Sequence, residues 1–130
     1  MNKGWIAAVA VAAACASACD ETPTTPSSSA VVTFRVANSE QFQVQLTSRE
    51  QIAAARAAQS GGPARIPNGR IVPGRQVNDP WTWHLEDVEF AEVTVEVCDG
   101  RPSDVERLGT GFGGGRFCPW SATVVRIDER

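Results

Sequence analysis

Apolar and polar residues alternate with a period of two near the start of the predicted folded region, which is typical of β-strands with one buried face. The first such stretch is Val31–Ala37. The second is Gln41–Leu46, in which three apolar side chains share one face and three glutamines share the other. The short link Asn38–Glu40 joins them, so the pattern predicts a β-hairpin.

A helix is predicted directly after this hairpin. Ser48 is of a residue type favoured at an N-cap, and Gln51 stands three positions later, as in a capping box. Gly61 is placed to end the helix. Ile52 and Ala55 form a small apolar stripe, which we expect to lie on the sheet.

The rest of the chain predicts shorter elements. These are a short strand at Arg70–Val72, a strand at Trp81–Leu85, a strand at Phe90–Cys98, a short helix beginning near a capping box at Ser103, and a last strand at Ala122–Ile127. Phe90–Cys98 has the clearest alternation, with three valines opposite Glu92, Thr94 and Glu96, the expected solvated face. Gly109–Gly115 is predicted to be a flexible loop. The fold class is α+β: a mostly antiparallel β-sheet with one main helix packed on one face.

Residues 1–18 have the layout of a secretory signal, with Lys3 before a short apolar core and small residues before the cleavage point. This apolar run is shorter than the roughly 20 residues that span a bilayer as a helix. The end of the segment is similar to a bacterial lipobox, in which the cysteine that follows is lipidated. Cys19 and Cys15 are both candidates. An ordinary signal-peptidase site and an N-terminal membrane anchor are the alternatives.

Cysteine parity favours Cys19 as the lipidated residue. Cleavage there leaves Cys98 and Cys118 as an even pair, whereas cleavage before Cys15 leaves an unpaired thiol in an oxidising compartment. Residues 19–30 are then the lipidated cysteine and a Pro/Thr/Ser-rich tether, and residues 31–128 are the folded domain. The expected location is the bacterial cell envelope, on the periplasmic or surface side. The sequence leaves inner versus outer membrane open.

Composition narrows the range of partners. The 130 residues contain 12 Lys and Arg against 15 Asp and Glu, a net charge of −3. An acidic chain without a basic face argues against nucleic-acid binding. Cleavage at Cys19 removes the only lysine, which leaves a net charge of −4, so we expect the acyl chains to hold the protein at the membrane.

Cys98 and Cys118 are predicted to form a disulfide that closes the loop containing the glycine-rich stretch. A metal pair and a redox pair are the alternatives. Both are disfavoured, because there is no Cys-x-x-Cys motif and the chain has a single histidine. No metal site and no cofactor are expected. The glycines of 109–115 also lack the lysine and the strand-to-helix setting of a phosphate-binding loop.

His84 is the only histidine, and a catalytic role requires a nucleophile and an acid close to it in space. Ser103 and Ser121 are candidate nucleophiles, with Asp79, Glu86, Asp87 and Glu89 as nearby acids. A hydrogen-bonded structural histidine is the competing interpretation.

Aromatic side chains are the candidate ligand-binding residues, since such rings stack on sugars and pack on peptides. We single out Trp81, Trp83, Trp120 and Phe112, with His84 beside them. Packing in the core is the alternative for each ring.

Several short motifs occur in a characteristic order along the domain. They are Phe42–Leu46, Ile52–Arg56, Gly69–Val72, Asn78–Leu85, Val95–Asp99, Val105-Glu106 and Phe117–Ser121. Together they resemble the N-terminal domain of the slime-mould calmodulin-binding protein family often labelled BP-74, which also occurs in bacteria. The chain departs from that pattern at Val77, where a Tyr is usual, and at residues 88–91, where an aromatic-rich stretch is usual.

The resemblance implies a fold but no catalytic residues. Calmodulin binding is not carried over, because it needs a basic amphipathic helix and the predicted helix has only Arg49 and Arg56. The sequence therefore favours an exported, lipid-anchored binding module whose ligand is a protein, peptide or glycan. A small envelope hydrolase that uses His84 with a nearby serine and acid is the alternative, so enzymatic activity is left open but not favoured.

Overall fold

The computed structural model describes residues 29–130, so the predicted signal, Cys15, Cys19 and most of the tether lie outside the described residues. The strands are β1 (Ala30–Val36), β2 (Glu40–Leu46), β3 (Ile66–Pro73), β4 (Trp83–Ala91), β5 (Arg116–Phe117) and β6 (Thr123–Glu129). The helices are α1 (Arg49–Gln59) and α2 (Pro102–Leu108), with a 3₁₀ turn at Glu96–Cys98 and successive tight turns over Gly109–Gly115.

These strands form two antiparallel sheets of three strands each. One has the order β2-β1-β6 and the other β4-β3-β5. With α1 as the main helix and one disulfide, the predicted α+β class is confirmed. The division into two sheets is not apparent from the pattern, because alternation reports one buried face per strand and not which strands share a sheet.

The predicted hairpin and first helix are confirmed in detail. β1 pairs with β2 so that Phe34 lies opposite Phe42, and the glutamines of β2 face outward. Ser48 caps α1, with its hydroxyl oxygen accepting a hydrogen bond from the Gln51 backbone N–H. The two buried residues of α1 are those of the predicted stripe, and the helix packs beside β6.

Aromatic rings fill the space between the sheets. Phe42 of the first sheet meets Phe117 of the second edge-on, with 5.2 Å between ring centroids. Trp83 packs edge-on against the same Phe117 at 5.5 Å, and Phe34 stacks on Phe42 at 5.3 Å. Each such pair contributes about 0.5–1.5 kcal/mol beyond the burial of its area. Aromatic contacts therefore join the two sheets into one core.

The prediction of a strand at Phe90–Cys98 is wrong. β4 ends at Ala91, and the following residues leave the sheet before the 3₁₀ turn. The reason is the lack of a partner: β3 begins at Ile66, which pairs with Ala91, so no β3 residue continues the ladder. Alternation in sequence cannot form a strand without a neighbouring strand to receive its backbone hydrogen bonds.

Two smaller differences concern where elements begin. β4 starts at Trp83 rather than at Trp81. In α2 the N-cap is Arg101 and Pro102 is the first helical residue, so the helix starts before Ser103. The Arg101 backbone N–H donates to the Asp104 carboxylate at 3.0 Å, and proline is favoured at a first helical position because the missing N–H is not needed there.

Asn78 links the two sheets by hydrogen bonds from a fully buried side chain in the loop between β3 and β4. Its Oδ1 accepts from the Gln43 backbone N–H of β2 at 2.7 Å, and its Nδ2 donates to the Trp83 carbonyl of β4 at 2.9 Å. The Trp81 indole N–H donates to the Gln41 carbonyl at 2.7 Å. Because β2 is an edge strand, the loop supplies partners that another strand would otherwise provide.

We predict that Asn78→Ala lowers the free energy of unfolding by about 2–6 kcal/mol, because one buried and one part-buried backbone group lose their partners at about 1–3 kcal/mol each. Asn78→Asp is the isosteric comparison, since it keeps the acceptor for Gln43 and loses the donor to Trp83. It should also destabilise the protein. Urea unfolding measures both effects, and a loss below about 1 kcal/mol for Asn78→Ala would contradict the bridging role.

Candidate functional site

Four of the five large apolar side chains left in solvent within residues 29–130 lie in one stretch of the chain and at one residue beside it, and the fifth is Leu108 at the end of α2. Val93, Val95 and Val97 are 82%, 66% and 67% exposed, and Trp120 is 43% exposed. We call these four residues the valine–tryptophan ridge. Soluble proteins seldom leave several large apolar groups together in solvent unless the surface has a partner. The ridge is therefore the candidate functional site.

A disulfide beneath the ridge holds it in place. Cys98 and Cys118 are bonded to each other and both are buried, as predicted from the sequence. The Cys118 backbone N–H donates to the Cys98 carbonyl at 2.8 Å. Closing a loop of this length stabilises a fold by about 3 kcal/mol in the chain-entropy model. The bond thus connects the segment that carries the valines to the segment that carries Trp120.

Two further hydrogen bonds orient Trp120. Its indole N–H donates to the Thr94 hydroxyl at 2.6 Å, and its backbone N–H donates to the Asp99 carboxylate at 2.8 Å. Thr94 lies between two of the exposed valines, so the indole is tied directly to the ridge segment. Because a side chain fixed in this way loses little entropy on binding, Trp120 is preorganised for a partner.

The glycine-rich turns support the disulfide from the other side. Gly113 has a φ of +57°, and a Cβ added there would lie 2.8 Å from the Cys98 Cα. Only glycine permits this approach. Phe112, a candidate ligand-binding residue, is buried, with its ring 5.9 Å from that of Phe117. These turns pack against the core rather than presenting an aromatic side chain to solvent.

The other candidate tryptophans occupy different environments. Trp83 is 2% exposed and belongs to the core. Trp81 is half-buried, stacks on Trp83 with 6.4 Å between centroids, and uses its indole N–H on the edge of β2. Of the aromatic candidates, Trp120 presents the most surface to a ligand.

His84 is buried and held at both ring nitrogens. Nδ1 lies 2.7 Å from the Gly74 carbonyl, and Nε2 lies 3.0 Å from a carboxylate oxygen of Glu86. The Gly74 contact fixes the end of β3 against β4, because His84 sits directly across from Val72 in the ladder.

The candidate nucleophiles are engaged elsewhere. The Ser103 hydroxyl donates to Glu40 at 3.0 Å, and the Ser121 hydroxyl accepts from the Ala37 backbone N–H at 3.0 Å. Within residues 29–130 neither serine hydrogen-bonds to His84. The arrangement of nucleophile next to base that hydrolysis needs is not assembled by these contacts.

Charges surround His84 on the outer side of the second sheet. One carboxylate oxygen of Glu86 lies against His84 and the other accepts from Arg70, which also pairs with Asp87. The hydrogen bond from His84, followed by that from Arg70, holds the pKa of Glu86 below its usual value. The pKa of Arg70 is raised by its hydrogen bond to Asp87.

Two clefts open on the surface of the described part of the chain. One of about 250 Å³ lies between the end of α1 and β6, and one of about 110 Å³ lies beside Trp83 and Glu106. No group of three or more His, Cys, Asp or Glu side chains in residues 29–130 is arranged to hold a metal ion. None of the helices in that range is long and apolar enough to cross a membrane.

Sequence reasoning misses two features of this region. The alternation places the three valines on the buried face of a predicted strand. It carries no information on whether another element covers that face. Asn78 stands out only as part of a motif, although an asparagine beside a buried tryptophan strand is a candidate for bridging backbone groups.

We predict that Glu86→Gln flattens the acid side of the stability profile. A carboxyl whose pKa is lowered by folding stabilises the fold above its unfolded pKa of about 4.3, and this contribution disappears as the pH falls through the folded pKa. The free energy of unfolding of the wild type, measured with urea, should therefore fall more steeply below about pH 4.3 than that of the variant. Glu89→Gln, at an exposed position of β4, is the matched control. Equal slopes for wild type and Glu86→Gln would contradict the assignment.

Comparison with known proteins agrees with the order of motifs found along the chain. No curated protein and no solved structure gives a significant match. The family model of the BP-74 N-terminal domain matches residues 28–130, which covers all six strands and both helices described above. The chain therefore belongs to the BP-74 N-terminal domain family.

Proposed function

We propose that this protein is an exported, lipid-anchored interaction module of the bacterial cell envelope that binds a protein or peptide through the valine–tryptophan ridge. It acts by recognition rather than by catalysis. Lipid on Cys19 anchors the chain, and the folded domain presents the ridge to the partner.

The exposed ridge is the observation that carries this proposal. Three valines and one tryptophan stand in solvent on two segments that a disulfide and two hydrogen bonds of Trp120 join. Full burial of one such aliphatic side chain contributes about 1.5–3 kcal/mol, so a partner that covers several of them gains substantial affinity. A flexible apolar segment would lose part of that gain, because ordering it on binding costs entropy. The disulfide reduces this cost.

The shape of the surface favours a protein or peptide over a glycan. Sugar sites use exposed aromatic faces, whereas Trp83 and Phe112 are buried and the ridge is mainly aliphatic. Exposed aliphatic side chains suit the apolar side chains of another polypeptide. Glycan binding at Trp120 would be a distinct outcome of the experiment below.

The anchor supports an interaction near the membrane. Cys19 precedes β1 by about ten residues, and an extended chain of that length spans at most about 35 Å. The domain thus stays close to the bilayer, where a partner also belongs to the envelope. The acyl chains do the tethering, since the mature chain is acidic and gains nothing from anionic headgroups.

We predict that the chain extracted from membranes begins at an acylated Cys19. Intact-mass measurement of the wild type should give the mass of residues 19–130 plus the lipid. Cys19→Ala should remain unprocessed, and Cys15→Ala should behave as the wild type. An unlipidated mass, or loss of processing in Cys15→Ala alone, would contradict anchoring at Cys19.

We predict that a photo-crosslinking amino acid at Val95 or Val97 forms one discrete adduct with an envelope protein in intact cells. The same amino acid at Leu108, an exposed apolar position of α2, is the matched control and should not give that adduct. Mass spectrometry then identifies the partner. The absence of any ridge-specific protein adduct, or an adduct with glycan, would overturn the protein-binding proposal.

A further inference from the structure

We propose that the partner of the valine–tryptophan ridge is a cationic, apolar polypeptide segment in which Lys or Arg side chains accompany aliphatic ones. This inference rests on the function proposed above and specifies the chemistry of the partner.

The charge distribution along the ridge segment is one-sided. Residues 86–99 contain six acidic residues and no Lys or Arg. Two of these acids, Glu92 and Glu96, alternate with the exposed valines, so apolar and negative groups share one short segment. A partner that covers the valines must place its own polar groups next to these carboxylates, and cationic groups satisfy that requirement best.

The protein neutralises only some of these six acids, since Glu86 and Asp87 pair with Arg70 and others have no such partner in the described part of the chain. Glu92 pairs with Arg65 at 3.1 Å, and both side chains remain partly exposed. Within residues 29–130, Glu96 makes no ion pair, and Asp99 accepts a backbone N–H from Trp120 without a cation beside it. The negative potential along the ridge is therefore available to an approaching partner, and it increases the rate of association with a cationic one.

Charge complementarity also argues against other occupants. A second copy of the chain would bring one acidic ridge against another, and like charges at an interface oppose association. An anionic bilayer surface has the same unfavourable sign. The predicted tether carries Asp20 and Glu21 and no basic residue, so it does not complement the ridge.

The ridge suits a polypeptide segment rather than a small molecule. Neither of the two clefts described above is lined by a ridge residue, and the three valines are largely exposed, so a partner of the ridge contacts an open surface. The valines span the irregular stretch after β4 and the 3₁₀ turn, and acidic residues alternate with them in sequence. A segment in which apolar and cationic side chains alternate complements this combination.

The test uses the full lipidated chain in a neutral detergent and a fluorescently labelled synthetic peptide in which Lys and Val alternate. Fluorescence anisotropy should show saturable binding that weakens several-fold as the salt concentration rises from about 0.05 M to about 0.5 M. Peptides in which Glu replaces Lys, or Ser replaces Val, should bind at least about tenfold more weakly, since each loses one of the two contributions.

Variants of the chain locate the site. Val95→Ser and Val97→Ser should each weaken binding of the Lys–Val peptide by about tenfold. Glu96→Gln and Asp99→Asn should weaken it several-fold and reduce the dependence on salt, because both keep the shape of the side chain and remove its charge. Leu108→Ser and Asp128→Asn are the matched apolar and acidic controls, and urea unfolding verifies that every variant is folded.

The following results of the peptide-binding experiment would overturn the inference. If the Glu–Val peptide binds as well as the Lys–Val peptide, the partner is not cationic, whereas ridge adducts in cells would still support the protein-binding function. If the Lys–Val peptide fails to bind, or binds equally to the ridge variants, the ridge does not recognise this chemistry. Failure of the photo-crosslinking experiment, by contrast, would overturn the proposed function itself.

Discussion

The fold depends on closing the open edge of β2 with a loop rather than with another strand. Asn78 joins a backbone group of β2 to one of β4, and Trp81 satisfies a second group on the same edge. Buried backbone groups that lack a partner are costly, so this loop must stay in place for the two sheets to remain together. The aromatic core between the sheets, centred on Phe117 and Trp83, packs in that arrangement.

The need to hold the sheets together explains why a motif with two tryptophans and one histidine need not bind a ligand. The motif containing Trp81, Trp83 and His84 holds β4 against β2 and β3, through stacking and through hydrogen bonds to backbone carbonyls. Tryptophan and histidine are used here for the polar atom that each carries on a large, mostly apolar ring. The apolar surface available to a partner lies instead at the far end of β4.

The ridge segment begins where β4 leaves the second sheet. β4 leaves the ladder at Ala91, and the disulfide between Cys98 and Cys118 fixes the segment that follows. The segment is thereby tied to the core at Cys98 without being covered, so its valines stay exposed and Glu92 and Glu96 stay beside them in sequence. Exposed, apolar and acidic, this segment is the surface on which the proposed recognition rests.

The sequence by itself determined the local elements and the covalent bond. The alternation in β1 and β2, the Ser48 cap of α1 and the parity of the cysteines are local or countable features, and the structure confirms the hairpin, the cap and the disulfide that they predict. The tertiary structure alone decided whether each apolar face is covered. The valines of residues 93–97 have the pattern of a buried strand, yet they are exposed because β3 has no residue to pair beyond Ala91. Whether a face is covered depends on residues distant in sequence, and the periodicity of one segment carries no information about those residues.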